Sequence, residues 1–194
     1  RVYLSRMHRA ETEFARALVE RMRVGEKLEA LKPSELEQFE QTTGVKLSEE
    51  QVAAVSLCIV EPVCVLTGGA GRGKTMIVRA IIFILQLRKK VSVLAAPTGR
   101  AARVMADATK HGASTIHRLI GMKSEEEISG NAGAFDGKDV LILDETSMLD
   151  QSLGHSVLRQ LPLHVKLILV GDPNQLPSVG PGRVLNNIID SGAI

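Results

Sequence analysis

The sequence predicts an α/β fold, a mainly parallel sheet covered by helices, with an N-terminal helical segment in front of it. Three observations carry that prediction. Short apolar runs at 63–66, 91–95, 139–143 and 165–170 alternate with helix-like stretches, which implies right-handed βαβ crossovers. The runs are apolar almost throughout, as in strands covered on both faces. Residues 1–47 contain no such run, only amphipathic spacing and capping signals, so the predicted division is a helical segment over 1–47 and a sheet domain over 48–194.

Residues 1 to about 30 carry Leu4, Met7, Phe14, Leu18 and Met22 at near-helical spacing, and their mixed charges read as a solvated outer face. Ser34-Glu35-Leu36-Glu37 reads as a capping box opening a second helix, which Gly44 ends. Ser48-Glu49-Glu50-Gln51 opens a third, running to Pro62. Gln51 has two readings, a reciprocal cap or a carboxamide offering donor and acceptor to adenine, and the local sequence does not choose.

Val63-Cys64-Val65-Leu66 predicts a buried strand and Met76 to Leu87 a helix packed on both sides. Between them Gly68-Gly69-Ala70-Gly71-Arg72-Gly73-Lys74-Thr75 fits G-x-x-x-x-G-K-[ST] in the strand–loop–helix setting that the pattern requires. Glycines let consecutive N–H groups converge on phosphate oxygens, and the positive end of the next helix adds to the attraction. The segment from Gly68 through Met76 is therefore the expected nucleoside triphosphate cradle. Lys74 reaches the β- and γ-phosphates and the Thr75 hydroxyl ligates Mg²⁺.

Val91 to Ala95 predicts the next strand, ending in Pro97-Thr98-Gly99-Arg100, where ligands collect in open α/β sheets. The plainer reading of Thr98 is a cap for a helix over 101–108. Ser114-Thr115-Ile116-His117-Arg118-Leu119 reads as a short helical start, with His117 structural for want of metal-spaced partners. Residues 121–138 read as an acidic surface excursion or a small hairpin.

Asp139 to Leu143 is a third strand, ending in Asp144-Glu145. Paired carboxylates after an apolar strand are costly unless a cation meets them. Beside Lys74-Thr75 they predict a Mg²⁺ ligand at Asp144 and a water-polarising base at Glu145, which argues for hydrolysis. Val165 to Val170 is a fourth strand, leading into Gly171-Asp172-Pro173-Asn174-Gln175-Leu176-Pro177, where Gln175 is suited to report on the γ-phosphate. Pro181-Gly182-Arg183 then opens a helix over 184–189.

Composition bounds what else is possible. A net charge of +2 gives no global basic field, so any nucleic-acid site is local. Aromatics are 3% with no Trp, which limits base stacking. Cys58 and Cys64 lie in apolar runs without zinc spacing and predict buried thiols in a reducing, cytoplasmic setting. The apolar stretch from Ile77 to Leu87 is too short to cross a bilayer. No secretory leader is expected, and a first residue of Arg fits a piece of a longer chain.

Gln51, the glycine loop, Ala96-Pro97-Thr98-Gly99-Arg100-Ala101-Ala102, Thr115-Ile116-His117-Arg118-Leu119, Asp144-Glu145-Thr146-Ser147-Met148 and Gly171 through Gly182 together resemble the ordered motifs of superfamily 1 DNA helicases. The resemblance is greatest to the RecD-like branch, the exodeoxyribonuclease V alpha subunit family, and runs over about residues 45–194. It implies a P-loop NTPase (RecA-like) motor domain using ATP and Mg²⁺, acting on single-stranded DNA in recombination and repair, with 5′ to 3′ polarity. It implies that Gln51 reads adenine, that Thr75 and Asp144 hold the metal, and that Lys74, Glu145 and Gln175 are catalytic. Pro97, Thr98, Gly99, Arg100, Thr115 and His117 would lie along the DNA track. The family usually has Pro and Thr where this chain has Ala70 and Arg72, and Arg72 reads as pointing to solvent.

The resemblance further implies a second RecA-like domain of the same full-length chain, whose arginines complete the site. The isolated chain, taken as a monomer, is then expected to bind nucleotide weakly, hydrolyse it slowly and not unwind DNA. Two other functions share the phosphate loop, a small-molecule kinase and a non-catalytic nucleotide-binding scaffold.

Overall fold

The computed structural model describes residues 5–69, 71, 73–122 and 133–194. Leu4, Ala70, Arg72 and most of the 121–138 excursion lie outside the described residues, as do the expectations made for them.

Among the described residues five strands form one sheet: β1 (Val63–Thr67), β2 (Ser92–Ala96), β3 (Ala113–Thr115), β4 (Val140–Leu143) and β5 (Lys166–Gly171). Their spatial order is β1-β5-β4-β2-β3 and every pair is parallel, as the alternation of strands and helices predicts. Side chains of a strand point alternately to its two faces. In β4, Leu141 and Leu143 enter one core while Val140 and Ile142 enter the other; in β5, Leu167 and Leu169 divide from Ile168 and Val170 in the same way. Both faces are covered, so nearly every position in these runs is apolar.

Helices α1 (Ser5–Val24), α7 (Gln151–Gln160) and α8 (Val184–Ser191) contribute Phe14, Leu18, Leu153, Val157 and Ile188 to the first core. Helices α2 (Pro33–Thr43), α3 (Glu49–Val60), α4 (Lys74–Leu87) and α5 (Gly99–Thr109) supply the second, where Phe39 and Phe83 meet edge to face at 5.5 Å. A one-turn helix, α6 (Ile116–Leu119), follows β3.

Several boundaries differ from those expected. Helix α1 stops at Val24 because Gly25 is pressed against Pro62, and a Cβ there would strike Pro62 Cβ and Arg21 O, each at 2.5 Å. Its charges are not all solvated. Arg21 is 1% exposed, and its guanidinium donates to the carbonyls of Leu161 (2.7 Å), Pro162 (2.6 Å) and Val165 (2.5 Å), tying α1 to the turn before β5. Helix α2 is capped two residues earlier than Ser34 suggested, at Lys32, with Pro33 as its first residue and Glu35 accepting from the Lys32 N–H at 2.9 Å. Gly44 ends it in the left-handed region, at φ 70°.

The stretch at 113–115 is strand rather than helix start, and α7 has no counterpart among the elements expected from sequence. Gly154 sits in the middle of α7, where it weakens the helical signal. A Cβ there would press on Phe14 Cε2 of α1 at 3.2 Å, a tight contact that the ring would have to ease.

Candidate nucleotide and nucleic-acid site

Because all strands are parallel, the turns that follow them leave one rim of the sheet. The register aligns their ends: Thr67 lies opposite Gly171, Ala95 opposite Leu143, and Ala96 opposite Thr115. From β1 the chain enters the glycine loop, where Gly71 (φ 72°) and Gly73 (φ 81°) take left-handed conformations open mainly to glycine. Lys74 opens α4 and folds back, donating to Gly68 O and, at 3.1 Å, to Gly69 O. The exposed Thr75 follows in the first turn.

Gln51 is the reciprocal cap of α3. Its Oε1 accepts from the Ser48 N–H at 3.0 Å, and its own N–H donates to Ser48 Oγ at 3.3 Å. The free Nε2 end of the same carboxamide faces the phosphate loop, for a Cβ at Gly73 would collide with it. The cap thus holds Gln51 against the loop.

Strand β4 ends at Leu143, and the Asp144 N–H donates to Ala95 O at 2.9 Å. Burial pushes the Asp144 carboxyl up to about 6, and the nearby Lys74 ammonium partly opposes that rise. A carboxyl this enclosed, within electrostatic reach of the Lys74 ammonium, fits a hard divalent cation that takes one or two protein oxygens and phosphate oxygens for the rest. Among the described residues no cluster of His, Cys, Asp and Glu makes a self-sufficient metal cage. Glu145 sits at φ 52°, a left-handed conformation uncommon for a residue with a side chain, and the chain turns at once into a short 3₁₀ helix, Thr146–Met148.

Sequence reasoning did not single out Thr146, yet its hydroxyl donates to Val170 O at 2.9 Å and ties the Glu145 turn to β5. Gly171 has no room for a side chain, since a Cβ would lie 2.6 Å from Thr146 Oγ1. The following turn is built on buried Asp172, whose Oδ1 accepts from Asn174 N at 3.0 Å and whose carbonyl accepts from Gln175 N at 3.1 Å. Gln175 itself is exposed at the rim. The loop ends docked on the start of α7, where the Gln151 N–H donates to Pro181 O at 3.1 Å.

On the other half of the rim, Thr98 caps α5 by accepting from Ala101 N at 3.1 Å, and Thr115 caps α6 by accepting from Arg118 N at 3.2 Å. Gly99 abuts Thr115, so the two turns are neighbours. Pro97 is half-buried, while Arg100 and His117 are exposed together with Arg118. Lys74, Thr75, Asp144, Glu145 and Gln175 therefore belong to three adjacent strands, β1, β5 and β4, and Thr98, Arg100, Thr115 and His117 to the next two.

Comparison with known proteins adds ancestry to this geometry. Residues 51–181 match the family model described as an AAA domain. The chain is 37% identical over 139 residues to the ATP-dependent RecD2 DNA helicase of Deinococcus radiodurans, an alignment covering 72% of this chain and 19% of that protein. It is 32% identical to the RecBCD enzyme subunit RecD of Mycolicibacterium smegmatis, with 73% of this chain and 30% of the subunit covered. The chain thus matches less than a third of the length of either relative. Its fold resembles that of Bacteroides Pif1 in complex with ADP-AlF4 (TM-score 0.54, 24% identity, 76% of this chain and 36% of that one). The fold of T4 UvsW is also similar (TM-score 0.60, 14% identity, 84% and 38% covered).

Proposed function

We propose, from the premise that this chain belongs to the AAA-domain family and to its RecD-like superfamily 1 helicase motors, that it binds and hydrolyses ATP to drive movement on single-stranded DNA in repair and recombination. The reading rests on one observation. The glycine loop, the Asp144-Glu145 turn and the Gln175 loop leave adjacent parallel strands at the same rim, next to the exposed Arg100 and His117.

In this mechanism the Gln51 carboxamide reads adenine while its other end caps α3. Lys74 exchanges the carbonyls of Gly68 and Gly69 for the β- and γ-phosphate oxygens. Thr75 and Asp144 would hold Mg²⁺, which would supply neutralisation of the phosphate charge. Glu145, at the left-handed turn that ends β4, accepts the proton of the attacking water. Gln175 senses the γ-phosphate and passes the state of the nucleotide to the loop docked on α7. Pro97, Thr98, Gly99, Arg100, Thr115 and His117 line the DNA track, with the arginine meeting phosphate and the cap threonines fixing the turns.

The polarity we assign is 5′ to 3′. We divide the chain into a helical segment over 1–47 and a motor domain over 48–194, acting as a monomer in the cytoplasm with a second RecA-like domain of its own full-length chain. No helix among the described residues is long and apolar enough to cross a membrane.

The test uses the full-length protein. DNA-stimulated ATP hydrolysis is expected, and Glu145→Gln should lower kcat by about 10²-fold or more while ATP still binds. Hydrolysis indifferent to DNA favours the kinase reading, and an unchanged rate in the variant removes Glu145 from the chemistry.

A further inference from the structure

Cys58 lies in the last turn of α3 and Cys64 is the second residue of β1. Both are enclosed, at 1% and 2% exposure, and their sulfurs are 3.0 Å apart, in hydrogen-bond contact. A third polar group borders them. Lys166, buried in the neighbouring β5, donates to Ile59 O at 2.5 Å and to Glu61 O at 2.6 Å, both in the short connection between the two cysteines. The nucleotide chemistry uses none of these three side chains.

We propose that Cys58 and Cys64 form a reversible two-electron redox site, which takes a small hydroperoxide as its oxidant and closes as a disulfide across the α3–β1 connection. The sulfurs need to approach by only about 1 Å to reach bonding distance. The hydrogen bond with Cys58 lowers the Cys64 thiol from its ordinary value, and the Lys166 charge acts in the same direction against burial, so Cys64 is the sulfur that attacks first. The Cys64 sulfur attacks the terminal oxygen of the hydroperoxide; an S–O bond forms, the O–O bond breaks, and the departing alkoxide takes a proton to leave as the alcohol. The Cys58 sulfur then attacks the sulfenic sulfur, an S–S bond forms, the S–O bond breaks, and hydroxide leaves as water with the Cys58 proton. Two thiols lose two electrons to one peroxide. Burial restricts the reaction to small oxidants. The new bond joins the helix that carries Gln51 to the strand that ends at the phosphate loop.

The experiment is independent of any nucleotide activity. The reduced chain is treated with hydrogen peroxide, unfolded, alkylated and weighed intact. The expected result is a monomer lighter by two hydrogens, inert to alkylation, restored by dithiothreitol, with a higher thermal midpoint than the reduced form. Cys58→Ser and Cys64→Ser should each abolish the loss of two hydrogens. Wild-type chain with both thiols still open to alkylation overturns the proposal, as does a sulfinic acid at Cys64 or a link between two chains. The wild-type arm decides even if a variant fails to fold.

Discussion

Asp144 is held in two opposing ways, by burial that resists its charge and by a lysine that favours it. Its carboxyl moves from an ordinary value of 3.8 to about 6 on folding, so the neutral form is the one the fold prefers. A raised carboxyl value adds relative stability that is complete at low pH and is lost as pH rises through about 6. Without nucleotide or Mg²⁺, Asp144→Asn should therefore stabilise the protein by about 3 kcal/mol at pH 7.5, with the difference vanishing below about pH 3. Thermal unfolding of the two proteins across that range is the measurement. A cation bound at Asp144 should cancel the gain, since it stabilises the charged form. The carboxylate pair was legible in the sequence because four apolar residues point straight at it. The left-handed turn at Glu145 was not, for nothing in Asp-Glu-Thr-Ser-Met announces a positive φ.

Helix α1 shows what an element's own sequence conceals. Its apolar stripe was legible, but Arg21 looked like one solvated charge among many, since the carbonyls it reaches lie about 140 residues further along the chain. Arg21→Ala should cost about 3 kcal/mol by stranding buried carbonyls, read as a lower urea midpoint. Arg21→Lys should recover only part of it, because an ammonium lacks the planar fork that spans several acceptors. Helix α5 has a simpler dependence. Thr98 is its cap, and Thr98→Ala should cost about 1 kcal/mol in the same measurement. Helix α7 escaped sequence reasoning because Gly154 interrupts its pattern, and its close packing on Phe14 of α1 leaves no local trace.

At the scale of the molecule, the parallel order of strands was legible from the alternation of runs and helices, and with it the common rim. The strand β3 was not, since three residues that also cap a helix carry too little pattern. The exposed arginine of the rim can be tested as phosphate-binding. In the full-length protein, Arg100→Ala should weaken single-stranded DNA of any sequence alike and reduce the salt dependence of binding by about one charge.

The strand order has one more outcome, and it concerns synthesis. The earliest of the described strands, β1, has only β5 as a neighbour among them, and its register runs from Val63 against Leu167 to Thr67 against Gly171. A nascent chain carries its Val-Cys-Val-Leu edge without this partner until β5, about a hundred residues further on, has left the ribosome. Chaperone binding is most needed in that interval, and the part of the rim shared by β1 and β5 takes shape only after it.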